Sequence, residues 1–122
     1  MKILIIHDGT KRTLDCLKNF APDFDFDLLE CDFAESVEAA ETWLRKKAFQ
    51  QIIIIGESVD MREVERTYYI PYNILPVLSR LAVPKVRILL VSPDEDFLNE
   101  GEYLAQGKGL NIERHVVRNN AG

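Results

Sequence analysis

Cysteine is scarce in this chain, with Cys16 and Cys31 the only two among 122 residues. They form no C-x-x-C pair and join no Cys/His ligand cluster, which argues against a structural zinc site. Two thiols in a domain of this size read as buried, reduced side chains of a protein in a reducing compartment. Positive charge is also in the minority: 15 Lys and Arg stand against 20 Asp and Glu, a net charge of -5. That excludes broad attachment to nucleic acid or anionic membrane, whose phosphates want a basic surface. No apolar run reaches membrane-spanning length, and Met1-Lys2 leads directly into a four-residue apolar segment too short for a signal peptide. The expectation is a cytoplasmic protein that binds neither nucleic acid nor membrane. Neither a Walker nor a Rossmann glycine fingerprint is present.

What the chain does have is the composition of a globular domain, 47% hydrophobic and 29% charged. Residues 1–118 read as one domain and 119–122 as a polar tail. Ile3 to Ile6 and Ile52 to Ile55 are continuous apolar runs, each ended by polar or glycine residues, and read as buried strands. Leu14, Leu17 and Phe20 or Ala21 recur at helical spacing between them, and Pro22 and Asp23 close that helix. Phe24, Phe26 and Leu28 alternate with aspartates, predicting a second strand with one polar face. Asp32 and Glu35 stand at capping-box spacing ahead of a helix whose stripe is Val37, Ala40, Leu44 and Ala48. A helix containing Val77, Leu78 and Leu81 follows the third strand, with Pro76 in its first turn. Val86 to Val91 is the fourth strand. Ser92, Pro93 and Glu95 occupy the N-cap, N1 and N3 places of a helix using Phe97, Leu98, Leu104 and Ala105 and stopping at Gly107 or Gly109. Ile112 to Val117 is the fifth strand.

Strands one, three and four are apolar on both faces, as the centre of a helix-covered parallel sheet requires, whereas two and five carry charge. Right-handed crossovers with those edges give the order 2-1-3-4-5, an α/β, three-layer, flavodoxin-like arrangement. Ligands in such sheets bind beyond the carboxyl ends of the strands. The residues at those ends are His7, Asp8, Gly9 and Thr10, then Gly56, Glu57 and Ser58, then Ser92, then Arg118. Acids, hydroxyls and a guanidinium together are what an anion or metal-phosphate site would use. Each also has a plainer reading: Ser92 as a helix cap, Asp8 as a loop or helix cap, and His7 as a hydrogen-bonded loop residue.

In order and spacing the chain resembles the receiver domains of two-component response regulators. Lys2-Ile3-Leu4-Ile5-Ile6-His7-Asp8 is similar to their first strand with its acidic pair, and Phe33 to Leu44 followed by Ile52 to Ile55 resembles their second helix and third strand. Carried over residue by residue, the resemblance puts the metal-binding acidic pair on His7 and Asp8, so one acid is replaced. It puts the phosphoacceptor aspartate on Gly56, the mobile hydroxyl on Ser92 and the phosphoryl-pairing lysine near Arg118. Phosphoryl transfer to such a site needs a carboxylate nucleophile and a magnesium ion held by oxygen ligands. Glycine supplies no carboxylate, and Glu57 next to it points to the opposite face of the strand. The resemblance therefore implies a pseudo-receiver: non-catalytic, without cofactor or metal, acting through protein contact.

The strand after Asn111 is followed only by polar residues, so the fifth helix of this architecture is expected to be missing. One sheet face would then lack cover over strands three to five, and another protein or a second copy is expected to supply it. The stretch from Glu57 to Val83 is longer than one helix needs, and Arg62, Glu65, Arg66, Tyr68, Tyr69 and Tyr72 are its candidate contact residues. Two other readings stay open. Asp8-Gly9-Thr10 has some likeness to the opening of ATP-binding universal stress proteins, and Thr10 and Thr13 to the FMN-phosphate grip of flavodoxins, although both patterns are incomplete. A small enzyme using Asp8 and Glu57 as acid and base is the third.

Overall fold

The computed structural model describes residues 2–7, 15, 17–19, 30–56, 70–81, 86–93, 95–110 and 112–117, with residues 70–73 in backbone only. In chain order these form β1 (Ile3–Ile6), β2 (Asp32–Ala34), α1 (Val37–Lys46), β3 (Gln51–Ile55), α2 (Ile70–Arg80), β4 (Arg87–Ser92), α3 (Glu95–Gly107) and β5 (Ile112–Val116). The strands build one five-stranded sheet in the order β2-β1-β3-β4-β5. All four pairings are parallel. The predicted strand order therefore holds. No helix among the described residues is long and apolar enough to cross a membrane.

Period-two alternation divides the core into two halves. On one face Leu4, Ile6, Ile52, Ile54, Ile88 and Leu90 pack beneath all three helices, meeting Ala40 of α1, Ile74 and Leu78 of α2, and Phe97, Leu98 and Ala105 of α3. On the other face Ile3, Ile5, Ile53, Ile55, Leu89 and Val91 gather with Leu17 and Val117. Isoleucine and leucine suit these positions because burying each such side chain contributes roughly 1.5–3 kcal/mol. The second face was expected to leave apolar surface bare over strands three to five. Instead Ile53 and Val91 are fully buried and Leu89 nearly so within the single chain. Where β5 crosses this face its residues are Glu113 and His115, which need little apolar cover.

The second strand differs from its sequence reading. Residues 24–28 lie outside the described residues, and Asp32 to Ala34, read above as the helix start, form β2 instead. The helix cap is Ser36: its backbone is extended and its Oγ accepts the Ala39 amide at 3.0 Å. Asp32 is consequently not a cap but an edge-strand residue, ion-paired at 2.7 Å with Lys47 from the far end of α1. Ala48 falls beyond α1 and is exposed, so it is not part of the stripe. Cys31, just ahead of β2, is half-buried against the second core half.

Two further helix starts move. Pro76 lies inside α2 rather than in its first turn, where it removes one i→i−4 hydrogen bond. Helix α3 begins at Glu95, so Ser92 is the last residue of β4 and not the N-cap. The α3 exit follows its reading. Gly109 has φ 70°, its N–H donates to the Gln106 carbonyl, and the Leu110 N–H reaches back to Ala105. That is a Schellman ending, in which glycine takes the left-handed place.

Candidate functional site

In this sheet the strand ends expected to carry chemistry are lined up by parallel pairing. Ile6 faces Ile54, Ile55 faces Val91, and Ser92 faces Val116. The described residues just at or beyond those ends are His7, Gly56, Ser92 and Val117, and all four are buried. The Gly56 N–H donates to the Val91 carbonyl at 3.3 Å and the Val117 N–H to the Ser92 carbonyl at 3.0 Å. Ladder bonding thus continues through this row. The His7 N–H likewise donates to Ala34 at 3.0 Å, and its ring meets Phe33 edge-on with centroids 6.0 Å apart. This is the environment of a packed loop histidine.

Gly56 directly follows β3, and Ser92 ends the adjacent strand β4. Asp8, Gly9, Thr10, Glu57, Ser58 and Arg118 lie outside the described residues, as do Arg62, Glu65, Arg66, Tyr68 and Tyr69. Tyr72 lies in α2 rather than in a loop. Among the described residues no group of three His, Cys, Asp or Glu is placed to hold a metal ion.

A cleft of about 340 Å³ opens elsewhere, lined by Lys46, Lys47, Phe49 and Val86 among others. Its residues precede β3 and β4, so it sits at the amino ends of the strands, opposite the end where parallel sheets bind ligands. Its cations answer a different need, the negative end of the α1 dipole. Lys46 and Lys47 also lie about 6.0 Å from the Trp43 ring.

Two features escaped the sequence reading. Trp43 Nε1 donates to the Phe33 carbonyl at 3.2 Å. The Ala34 carbonyl faces β1, so strand alternation turns Phe33 outward, and the indole closes the edge of β2. The second is Glu41, whose carboxylate accepts from Arg45 in its own helix and from Arg80 of α2, joining the two helices. The hydrogen bond from Arg45, aided by the charge of Arg80 and opposed by partial desolvation, holds its carboxyl below the ordinary value. Only the Glu41–Arg45 half was legible, as an i,i+4 pair.

The strand order, with the three helices α1 to α3 on one face among the described residues, is shared with known structures. The receiver domain of the Francisella response regulator 1452 superimposes with a TM-score of 0.56 at 15% identity, over 93% of this chain and 82% of that one. The chain has a receiver-like fold. A de novo designed Rossmann 2x3 protein solved by NMR is similar too, with TM-score 0.52, 13% identity and coverage of 96% and 79%. That a natural signalling domain and a designed scaffold both match a receiver-like fold marks it as an architecture, and an architecture alone carries no chemistry. No family description and no curated protein matches the sequence.

Proposed function

We propose that this receiver-like domain is a regulatory module that works by protein contact and does not accept a phosphoryl group. The observation carrying this reading is Gly56 at the carboxyl end of β3, where the receiver resemblance calls for an aspartate. A glycine there offers the phosphoryl group no nucleophile, and the neighbouring serine, Ser92, is packed at the end of β4. Without a covalent intermediate, the switch that phosphorylation drives in an intact receiver has no input, and binding is the remaining output. On this reading the contact surface is the segment holding Arg62, Glu65, Arg66, Tyr68, Tyr69 and Tyr72. Tyrosine and arginine are the residue types that dominate interface energetics. A cytoplasmic setting, suggested by the low cysteine count, belongs to the same reading.

The test is incubation with magnesium and acetyl phosphate followed by intact-mass analysis, beside thermal shifts with beryllofluoride, ATP and FMN. The expected result is an unmodified mass and an unmoved melting temperature. A stable phosphoryl adduct, or a saturable shift with beryllofluoride and magnesium, would overturn the proposal. A shift with ATP or FMN alone would replace it with a nucleotide-binding role.

A further inference from the structure

The two edges of the sheet are unlike. At β2 the outward carbonyl of Phe33 is taken by the Trp43 indole, and Asp32 is held by Lys47. At β5 the Val117 N–H bonds back to Ser92 of β4. Residues alternate along a strand, so the N–H and C=O groups of Ile112, Arg114 and Val116 turn away from the sheet. Among the described residues β5 pairs with β4 alone.

The five residues of β5, Ile-Glu-Arg-His-Val, are self-complementary about their centre. Set antiparallel to itself with Arg114 on the two-fold axis, the strand places Ile112 opposite Val116 and Glu113 opposite His115. Each pair falls on one face, and each outward-turned residue meets another outward-turned residue, which is the condition for a hydrogen-bonded antiparallel pair. Moving the axis to Glu113 puts two glutamates opposite each other and Ile112 opposite Arg114. Moving it to His115 puts Arg114 against Val116. The central register does face Arg114 with its twin, but each Arg114 is already bonded within its own chain to Asn99 and Glu102 of α3. Glu113 likewise pairs with Arg87 of its own β4 at 2.9 Å, so the partner's His115 shares a carboxylate already held within the chain.

The apolar surface agrees with this placement. Among the described residues the exposed large apolar side chains are Phe33, Tyr103 and Val116, and two of these three lie at the β5 edge. Val116 is in the strand itself. Tyr103 shares the helical stripe of Asn99 and Glu102, the residues of α3 that reach Arg114, and it is 76% exposed.

We propose that β5 pairs with β5 of a second copy, antiparallel and centred on Arg114, joining two five-stranded sheets into one across a two-fold axis. Such an interface is isologous, as most homodimer contacts are. It uses strand addition, in which main-chain hydrogen bonds give affinity and alternate side chains give register. It stands apart from the reading of Gly56, because Gly56 follows β3 and the whole of β4 separates β3 from the β5 edge. With five residues a side, the pairing is short and its dimer is concentration-dependent.

Sedimentation velocity from micromolar to millimolar protein tests it. The wild-type chain is expected to pass from monomer to dimer. The exchange of backbone amides at Ile112, Arg114 and Val116 should slow as it does so. Val116→Pro removes an outward N–H that the β4 pairing does not use, and should leave a folded monomer. His115→Glu sets glutamate against the partner's Glu113 and should weaken the dimer about tenfold or more. Glu113→Lys combined with His115→Glu should restore it in an Arg87→Gln background, which keeps the new lysine clear of the cation that pairs with Glu113. Trp43 fluorescence and circular dichroism report that each variant is folded. A wild-type chain that stays monomeric at millimolar concentration overturns the proposal, and so does a dimer indifferent to His115→Glu. Failure of the charge exchange to restore association overturns the register centred on Arg114.

Discussion

Gly101 sits in the middle of α3, where alanine should be the better residue by about 1 kcal/mol of helix propensity. The structure predicts the opposite outcome for Gly101→Ala. A Cβ built there would lie 2.5 Å from Leu90 Cδ1, with Leu90 Cδ2 and Cγ at 3.8 Å. Carbon atoms rest at about 3.5–4.0 Å, so the contact must open by about 1 Å. Leu90 cannot swing aside freely, because it is fully buried in β4 beneath the helix layer. Overpacking of this kind costs about 1–3 kcal/mol, which exceeds the propensity gain over most of its range. The net expectation is a loss of about 1 kcal/mol. The sign should reverse once Leu90 is shortened. Leu90→Ala alone should cost about 2–5 kcal/mol. In that background the added methyl refills part of the cavity, worth about 0.8 kcal/mol, and the propensity gain is no longer opposed. Urea unfolding of the four proteins of the cycle, followed by Trp43 fluorescence, measures the coupling, expected at about 2 kcal/mol or more. If Gly101→Ala stabilises the parent by the full propensity increment, or the two changes add without coupling, the close helix–sheet approach is not as described.

Two other expectations are simpler. Ser36→Ala removes the Oγ that accepts the Ala39 amide and should lower unfolding stability by about 1 kcal/mol, with Ser36→Asp close to neutral. The lowered pKa of Glu41 means that its stabilising effect is fully present above the ordinary value of 4.5 and is lost as pH falls through the lower folded-state value. Glu41→Gln should therefore flatten the acid limb of the stability–pH curve, and added salt should shrink the difference between the two proteins.

The parts of the fold that were legible are those where burial alone chooses the residue. Ile3 to Ile6, Ile52 to Ile55 and Val86 to Val91 read as central strands because short runs that stay apolar at every position, bounded by turn residues, suit a parallel sheet buried on both faces. Edge character was legible in Glu113, Arg114 and His115 for the same reason. The second strand was not, because Asp32 and Glu35 satisfy the spacing of a capping box. Sequence cannot tell a carboxylate that accepts helix amides from one that pairs with Lys47, fifteen residues on. Ser36, which has no glutamate three residues on, is the cap because the strand ends before it and leaves its extended backbone with Oγ within reach of the Ala39 amide. Ser92 failed as a cap for the converse reason, since β4 runs through it. At the strand ends Gly56 could be placed from the length of the isoleucine run alone. The Trp43 bond to Phe33 joins residues ten apart with no local signature, and was invisible until helix and strand were placed.

That bond has a consequence for how the whole sheet meets its surroundings. A five-stranded parallel sheet has two edges, and each exposes main-chain groups that any other strand can use. Here one helix does double duty, since α1 covers the core with Ala40 while its Trp43 takes the outward Phe33 carbonyl of β2 and the capping Lys47 holds the Asp32 side chain. A three-residue strand so occupied offers a newcomer almost no ladder. The β5 edge is longer and carries Glu113, Arg114 and His115 between two apolar ends, an order that discourages most apolar strands yet matches its own reverse. Two devices for managing sheet edges are thus present in one small domain, closure at β2 and selectivity at β5. Opening the first tests the contrast: Trp43→Phe keeps the apolar ring but frees the Phe33 carbonyl, so it should raise non-specific association without changing the β5 pairing.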